Sequence, residues 1–426
     1  MACRSFIDRV KRSSIFCGGV CMNWLSAVTS CVRRVRTVMS RRAQPRVLLV
    51  LKIPPPFGGG ELMHQMMAAA FESKYKVLSF NRKTHSKSTQ GRFLLSNLIF
   101  GSYFLLRVSF TCLLQRPKIV FIWLPKDWYP FLRTLLLAHV LKKMGIRVIG
   151  DLHGMDFDFS KRRFRQVHSA DAFSAVRVLS GSIARSLRAN GYPHHLAVID
   201  NGLEAPSFVH QRQPRHPQEM RLLYMGAISA AKGFADVVKW LDLLEAVSLP
   251  WTLSVVGEWV NADFREEMLT TLRAKAYSSR VIFTGVLIDE AKWQALIAHD
   301  LLIHFSSWDG QPLTIIEAMA AAVPTIARPV GAIPEMIQDG VNGFLIDDLE
   351  EAVQVTRQLY AGEISLSAIA NNARELFQRR FRHDIFIGEI ERLIARISNS
   401  SGFSLSKTEE MFTMKTNARS GHHCNP

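Results

Sequence analysis

Between residues 32 and 423 the sequence holds one cysteine, Cys112; the other five, Cys3, Cys17, Cys21, Cys31 and Cys424, sit near the two ends. A lone body cysteine excludes a disulfide framework and points to a reducing compartment. Cys17 and Cys21 have no second ligand pair at zinc spacing, so no metal site is read there. Acid is scarce too, with 36 Asp and Glu against 53 Lys and Arg and a net charge of +17. No helix-turn-helix, zinc or aromatic-stacking pattern accompanies the basic stretches, which sets nucleic acid aside as a partner. Uninterrupted apolar runs are also missing. Residues 13–32 are broken by Ser, Asn, Thr and Gly, with no cleavage site after them. Phe93–Leu114 is long enough to cross a bilayer but carries Arg107 within it, and reads as a helix covering a sheet with one face turned to lipid.

At 426 residues the chain exceeds one ordinary core, so two domains are expected. Its excess charge is local. Residues 1–46 carry ten Lys and Arg against Asp8, and residues 91–165 carry thirteen against four acids, which leaves the remainder near neutral. A basic first half suits an anionic membrane surface or a phosphorylated substrate.

After Arg46 short apolar runs alternate with helical stretches, the pattern of parallel sheets covered by helices. Strands are predicted at Val47–Leu51, Lys76–Phe80, Ile119–Trp123, Arg147–Asp151, Ala172–Val176 and Ala197–Ile199. A second series follows at Leu222–Met225, Leu253–Val256, Val281–Thr284, Leu301–Phe305, Thr325–Ala327 and Phe344–Ile346. The predicted organisation is a basic extension at 1–45, an α/β domain at 46–205 and a second at 206–380. A helix at 381–397 then returns to the first domain, and the Ser-rich tail at 398–426 is expected to be disordered. Met39, just before the basic lead-in to the first strand, is an alternative start. Two such sheets form a cleft at the carboxyl ends of their strands.

The segment from Trp308 to Asp347 says most about function. Asp309 and Glu317 stand eight positions apart around a helix start primed by Pro312, expected at the first helical position, so that the free amides of Leu313 and Thr314 face the preceding loop. Glu317 projects from a mostly apolar helix and needs a partner, either within a buried ion pair or in a ligand rich in hydroxyls. Residues 222–233 place Gly226 and then Lys232 between a strand and an expected helix start, a candidate phosphate grip. They are no Walker motif, because Ala231 precedes the lysine and Gly233 follows it. Gly59 and Gly60 follow the first strand and let backbone approach a ligand. His153 ends another strand, as a sugar-facing donor or an ordinary core histidine.

Taken together, FGGGE (57–61), DLHGMDF (151–157), DNGLE (200–204), MGAISAAKG (225–233), VVGE (255–258), DGQPLTIIEAMAAAVP (309–324) and the turn from Val330 to Glu335 resemble the glycosyltransferase family 4 enzymes of GT-B fold, two Rossmann-like doubly wound domains facing across a cleft. The resemblance runs from about Arg46 to Ile397. It implies a retaining transfer of a sugar from a nucleotide diphosphate sugar to a hydroxyl of a saccharide acceptor. On the same grounds Glu317 holds the ribose. Asp309, with the backbone of Gly310, Gln311, Pro312 and Leu313, holds the donor sugar. Lys232, helped by Gly59 and Gly60, neutralises the leaving diphosphate, Gly226 lines the donor site, and His153 lies beside the donor sugar. No metal or cofactor is implied. Asp309 stands where Glu is commoner, and Ala227 where Arg is usual, with Arg328 as a candidate replacement. The composition favours a lipid-linked acceptor in cell-surface polysaccharide assembly, and a cytoplasmic protein peripheral to the membrane. A sugar-nucleotide epimerase on the same scaffold, or a subunit that keeps the cleft without catalysis, are the alternative readings.

Overall fold

The computed structural model describes residues 47–54, 58–80, 95–125, 128–154, 172–192, 195–212 and 218–399. The basic extension 1–45, the tail from 400 onward and the segments 81–94 and 155–171 lie outside the described residues.

The first sheet contains β1 (Val47–Lys52), β2 (Lys76–Phe80), β3 (Ile119–Trp123), β4 (Arg147–Asp151), β5 (Ala175–Val178) and β6 (Leu196–Val198). Their order is β2-β1-β3-β4-β5-β6 and every pairing is parallel. Its helices are α1 (Gly59–Phe71), α2 (Leu95–Gln115), α3 (Trp128–Lys143) and α4 (Gly181–Ala189). The second sheet contains β7 (Met220–Met225), β8 (Trp251–Val256), β9 (Val281–Gly285), β10 (Leu301–His304), β11 (Thr325–Ala327) and β12 (Phe344–Leu345), in the order β12-β11-β10-β7-β8-β9, again parallel. Helices α5 (Phe234–Ala246), α6 (Ala262–Arg273), α7 (Asp289–Ala298), α8 (Leu313–Ala320), α9 (Ile333–Met336), α10 (Leu349–Ala361), α11 (Leu366–Leu376) and α12 (His383–Asn399) follow in turn.

The central strands of both sheets are buried on both faces, which is why they read as nearly continuous apolar runs. Along β1 the side chains alternate: Leu48 and Val50 enter the core with Phe104, Val108 and Leu135, while Val47, Leu49 and Leu51 meet Met63, Met67 and Phe71. That second core also takes Phe386, Ile390, Leu393, Ile394 and Ile397, the apolar stripe of α12, so the end of the described chain packs on the first sheet. Each such side chain contributes roughly 1.5–3 kcal/mol on burial.

Three local expectations shift. The strand expected at Ala172–Val176 is β5, Ala175–Val178, because burial continues without a break from Ala175 to Ser180 and apolar pattern alone cannot set its ends. Pro312 caps α8 instead of opening it: its ψ of 123° is extended, and Leu313 is the first helical residue. Lys232 ends a short 3-10 turn, Ala230–Lys232, and α5 begins two residues later.

Candidate active site

The order of the second sheet reverses between β7 and β10, and the crevice of such a sheet opens at the carboxyl ends of the two strands flanking the reversal. The loops leaving β7 and β10 carry Lys232 and Asp309. In the first loop the Ser229 hydroxyl accepts from the Lys232 amide, and Gly233 turns the chain with φ of 75°. A Cβ at Gly233 would lie 2.1 Å from the Phe305 carbonyl oxygen, so only glycine lets this turn rest on the end of β10. The Tyr224 hydroxyl donates to the Ala227 carbonyl at 2.9 Å and holds the stretch after Gly226 in place. Lys232 Nζ then donates to Asp309 Oδ2 at 2.7 Å and to the Trp308 carbonyl at 3.4 Å. His304 Nε2 lies 3.0 Å from the same Asp309 oxygen. Burial pushes the Asp309 carboxyl up, but His304 and Lys232 outweigh it and hold the group below the usual carboxylate range. Asp309 is therefore an anion, clamped from two sides.

Glu317 lies one turn inside α8, 6% exposed, and takes Lys292 Nζ of α7 on Oε1 at 2.6 Å. Burial raises its carboxyl above the ordinary value despite Lys292. The ion-pair half of the sequence reading is thus realised, in a helix that starts at Leu313, four residues after Asp309, and whose first-turn amides have no partner within the helix. Arg328, the candidate replacement for the arginine missing at 227, is engaged elsewhere: its guanidinium pairs with Asp236 at 2.8 Å and donates to the Phe305 carbonyl at 3.2 Å.

The first sheet brings up the other wall. A Cβ placed on Gly59 would sit 3.6 Å from Leu313, one on Gly60 would sit 3.4 Å from the His153 ring, and one on Gly310 would sit 2.8 Å from the His153 carbonyl oxygen. Three segments far apart in sequence therefore meet at one place, and at Gly310 only glycine permits the approach.

Behind His153 lies a sealed polar cluster. Asp151 Oδ2 accepts from His153 Nε2 and from His64 Nε2, each at 3.0 Å, and Oδ1 accepts from Arg177 at 3.0 Å. Arg177 also donates to the Ile199 and Asp200 carbonyls and to Asn201 Oδ1. Burial alone would raise the Asp151 carboxyl, yet His153 and Arg177 carry it well below the usual range. Burial lowers the His153 ring against the pull of Asp151, so the ring is neutral with its proton on Nε2, and Nδ1 is left as an acceptor. His64, Asp151 and His153 place ligand atoms within 4.8 Å of one another. The Arg177 cation shares their carboxylate, and that opposes a second positive charge; the set fits a hydrogen-bonded support for His153 better than a metal site.

Gln311 holds the two walls together. Its Oε1 accepts from the Asn201 amide at 2.6 Å, while Nε2 donates to Asp200 Oδ1 at 2.6 Å and to the Leu179 carbonyl at 3.2 Å. This side chain is committed to the first domain, and the Gln311 carbonyl also accepts from Asn201 Nδ2 at 3.4 Å. Arg380 grips Asp200 at 2.7 and 2.9 Å. Glu335, at the end of the turn that begins at Val330, accepts from the amides of Gly181 and Ser182 at the start of α4, where a carboxylate is favoured by the helix dipole.

Sequence reasoning passed over Asp151 as a functional residue in its own right, and with it His64, Arg177, His304 and Lys292. A signal existed for three of them: Asp151, Arg177 and His304 are lone polar residues at or near the ends of strands whose other residues are apolar, and such residues need partners.

Comparison with known proteins agrees with this geometry. Residues 219–361, spanning the second sheet, match the family profile described as glycosyl transferases group 1. The chain is 29% identical over 218 residues to the Vi polysaccharide biosynthesis protein VipC/TviE of Salmonella typhi, covering 47% of this chain and 37% of that one. It is 28% identical over 214 residues to the sulfoquinovosyl transferase SQD2 of Arabidopsis thaliana, covering 46% and 40%. These matches thus span well under half of either relative. In fold it resembles the Anabaena HepE crystal structure with UDP-glucose, with a TM-score of 0.61 at 18% identity over 82% of this chain and 99% of that one. The two facing sheets have the GT-B architecture, and residues 219–361 carry the sequence of a group 1 glycosyl transferase domain.

Proposed function

We propose that the protein is a glycosyltransferase of family 4 type. It moves a sugar from a nucleotide diphosphate sugar to a hydroxyl of a saccharide acceptor, with retention at the anomeric carbon, in surface polysaccharide assembly. The observation that carries this reading is the Lys232–Asp309 pair at the reversal point of the second sheet, facing His153 and the glycines of α1. The bond between the anomeric carbon and the diphosphate oxygen breaks, and negative charge grows on the departing group. Lys232 and the orphan amides of α8 stand where they can meet that charge, and fixed positive groups in a narrow cleft are the largest source of stabilisation for such a step. The diphosphate competes with Asp309 for the lysine, while His304 keeps Asp309 in place to accept from sugar hydroxyls. Glu317 is assigned to the ribose and neutral His153 to the sugar, with Nδ1 as the atom left to accept. This arrangement asks for no metal ion.

Support for a nucleotide sugar comes from the fold shared with a UDP-glucose complex, and support for polysaccharide assembly from the likeness to the Salmonella Vi polysaccharide biosynthesis protein. A lipid-linked acceptor suits the basic, apolar first domain. The test is to incubate purified protein with a panel of nucleotide sugars, with and without saccharide acceptors. Nucleoside diphosphate release that needs both substrates is expected; an absence of thermal stabilisation and of release with every donor would end the reading.

A further inference from the structure

Helix α2 is apolar on two sides. Phe104, Val108 and Cys112 enter the core of the first sheet, while Ile99, Tyr103, Leu106, Phe110, Leu113 and Leu114 on the opposite side are each between 51% and 70% exposed. Leu136, Val140 and Met144, on and just after the neighbouring α3, extend this surface. More than half of the exposed large apolar side chains among the described residues lie on this one face. A helix apolar all round is ordinarily covered, and a contiguous patch of this kind marks an interaction site.

Charge identifies the cover. From Leu95 to Gly150 the described residues contain no Asp or Glu, whereas Arg107, Arg116, Lys118, Lys142 and Lys143 add positive charge on and just beyond α2 and α3. Arg107, at the edge of the stripe, donates to the Tyr103 hydroxyl at 2.9 Å and sets its guanidinium over the Phe80 and Tyr103 rings. A second copy of the chain would bring like charges together around the apolar stripe, whereas an anionic lipid surface complements them. No helix among the described residues is long and apolar enough to cross a membrane. The inner side of α2 is already occupied by the sheet, so the helix can only lie along an interface.

We propose that the outer face of α2 and α3 docks in the plane of an anionic bilayer, with Leu106, Phe110 and Leu113 inserted and the surrounding lysines and arginines at the headgroups. Helices in such crossovers begin at the carboxyl edge of the sheet, so this orientation sets the cleft mouth beside the bilayer, where a lipid-linked acceptor would present its sugar. The inference goes beyond the transferase reading and stands apart from it, since binding to lipid needs no sugar nucleotide.

The test is flotation of the full chain with vesicles of phosphatidylcholine containing phosphatidylglycerol, against phosphatidylcholine alone. The protein is expected to float with the anionic vesicles. L106E/F110E/L113E, on residues that are largely exposed, should keep the wild-type Tm and lose binding about tenfold or more. K118E/K143E should weaken binding to anionic vesicles alone. Undiminished binding by the triple variant would place membrane contact elsewhere and overturn the proposal. So would a dimer in sedimentation velocity that the triple variant splits, with no vesicle binding by the wild type.

Discussion

The two walls of the cleft are built differently. Behind His153, at the carboxyl edge of the first sheet, one charged pair is sealed in: Asp151 and Arg177 are both 0% exposed and satisfy each other. At the edge of the second sheet Lys232 and Asp309 are 30% and 15% exposed and can change partners. A sealed pair cannot reach a ligand, but it can hold something that does, here His153. A half-open pair costs little to rearrange and can hand a cation to an incoming anion. One wall positions and the other exchanges.

The sharpest way to break this contrast is to remove the sealed anion. Asp151→Ala leaves Arg177 buried without its partner and should lower unfolding stability by about 3–5 kcal/mol, measured by denaturant titration. Lys232→Ala should leave the Tm nearly unchanged while cutting turnover about 100- to 1000-fold, the scale seen when one group facing developing charge is lost. Near-normal transfer in that variant would remove Lys232 from the mechanism. Glu317→Gln should weaken donor binding about tenfold, as expected for a charged hydrogen-bond acceptor, with little change in turnover at saturation; calorimetric titration with a nucleotide sugar reads this directly. The smallest effect is the dependence of stability on pH. Burial holds the folded His153 ring below its ordinary value, so the unfolded chain takes up its proton first. The contribution of this group is complete above about pH 6.5 and is lost as pH falls from there toward the lowered folded value. His153→Gln should flatten that part of the stability profile.

Much of the second wall was legible because its signals are local. A proline before an apolar helix with Glu317 inside it, or a lysine after a strand and a glycine, can be read within a dozen residues. The strands were legible for the same reason, since burial on both faces writes itself as apolar runs. The first wall depends on contacts between distant positions, which no local pattern records. His64, Asp151 and Arg177 come from α1, β4 and β5, and only the parallel register that sets Asp151 opposite Arg177 brings them together. The same holds for Gln311, which looked like part of a donor loop and spends its side chain on Asn201, Asp200 and Leu179. The partner of Glu317 was equally hidden, because Lys292 belongs to a different helix.

The account rests on Lys232 exchanging Asp309 for the diphosphate of a bound sugar nucleotide. A crystal structure with a nucleotide diphosphate sugar tests this most directly. The predicted result has Lys232 Nζ within about 3 Å of a diphosphate oxygen and Glu317 on the ribose hydroxyls. A nucleotide bound away from the reversal point of the second sheet, with the Lys232–Asp309 pair undisturbed, would contradict it.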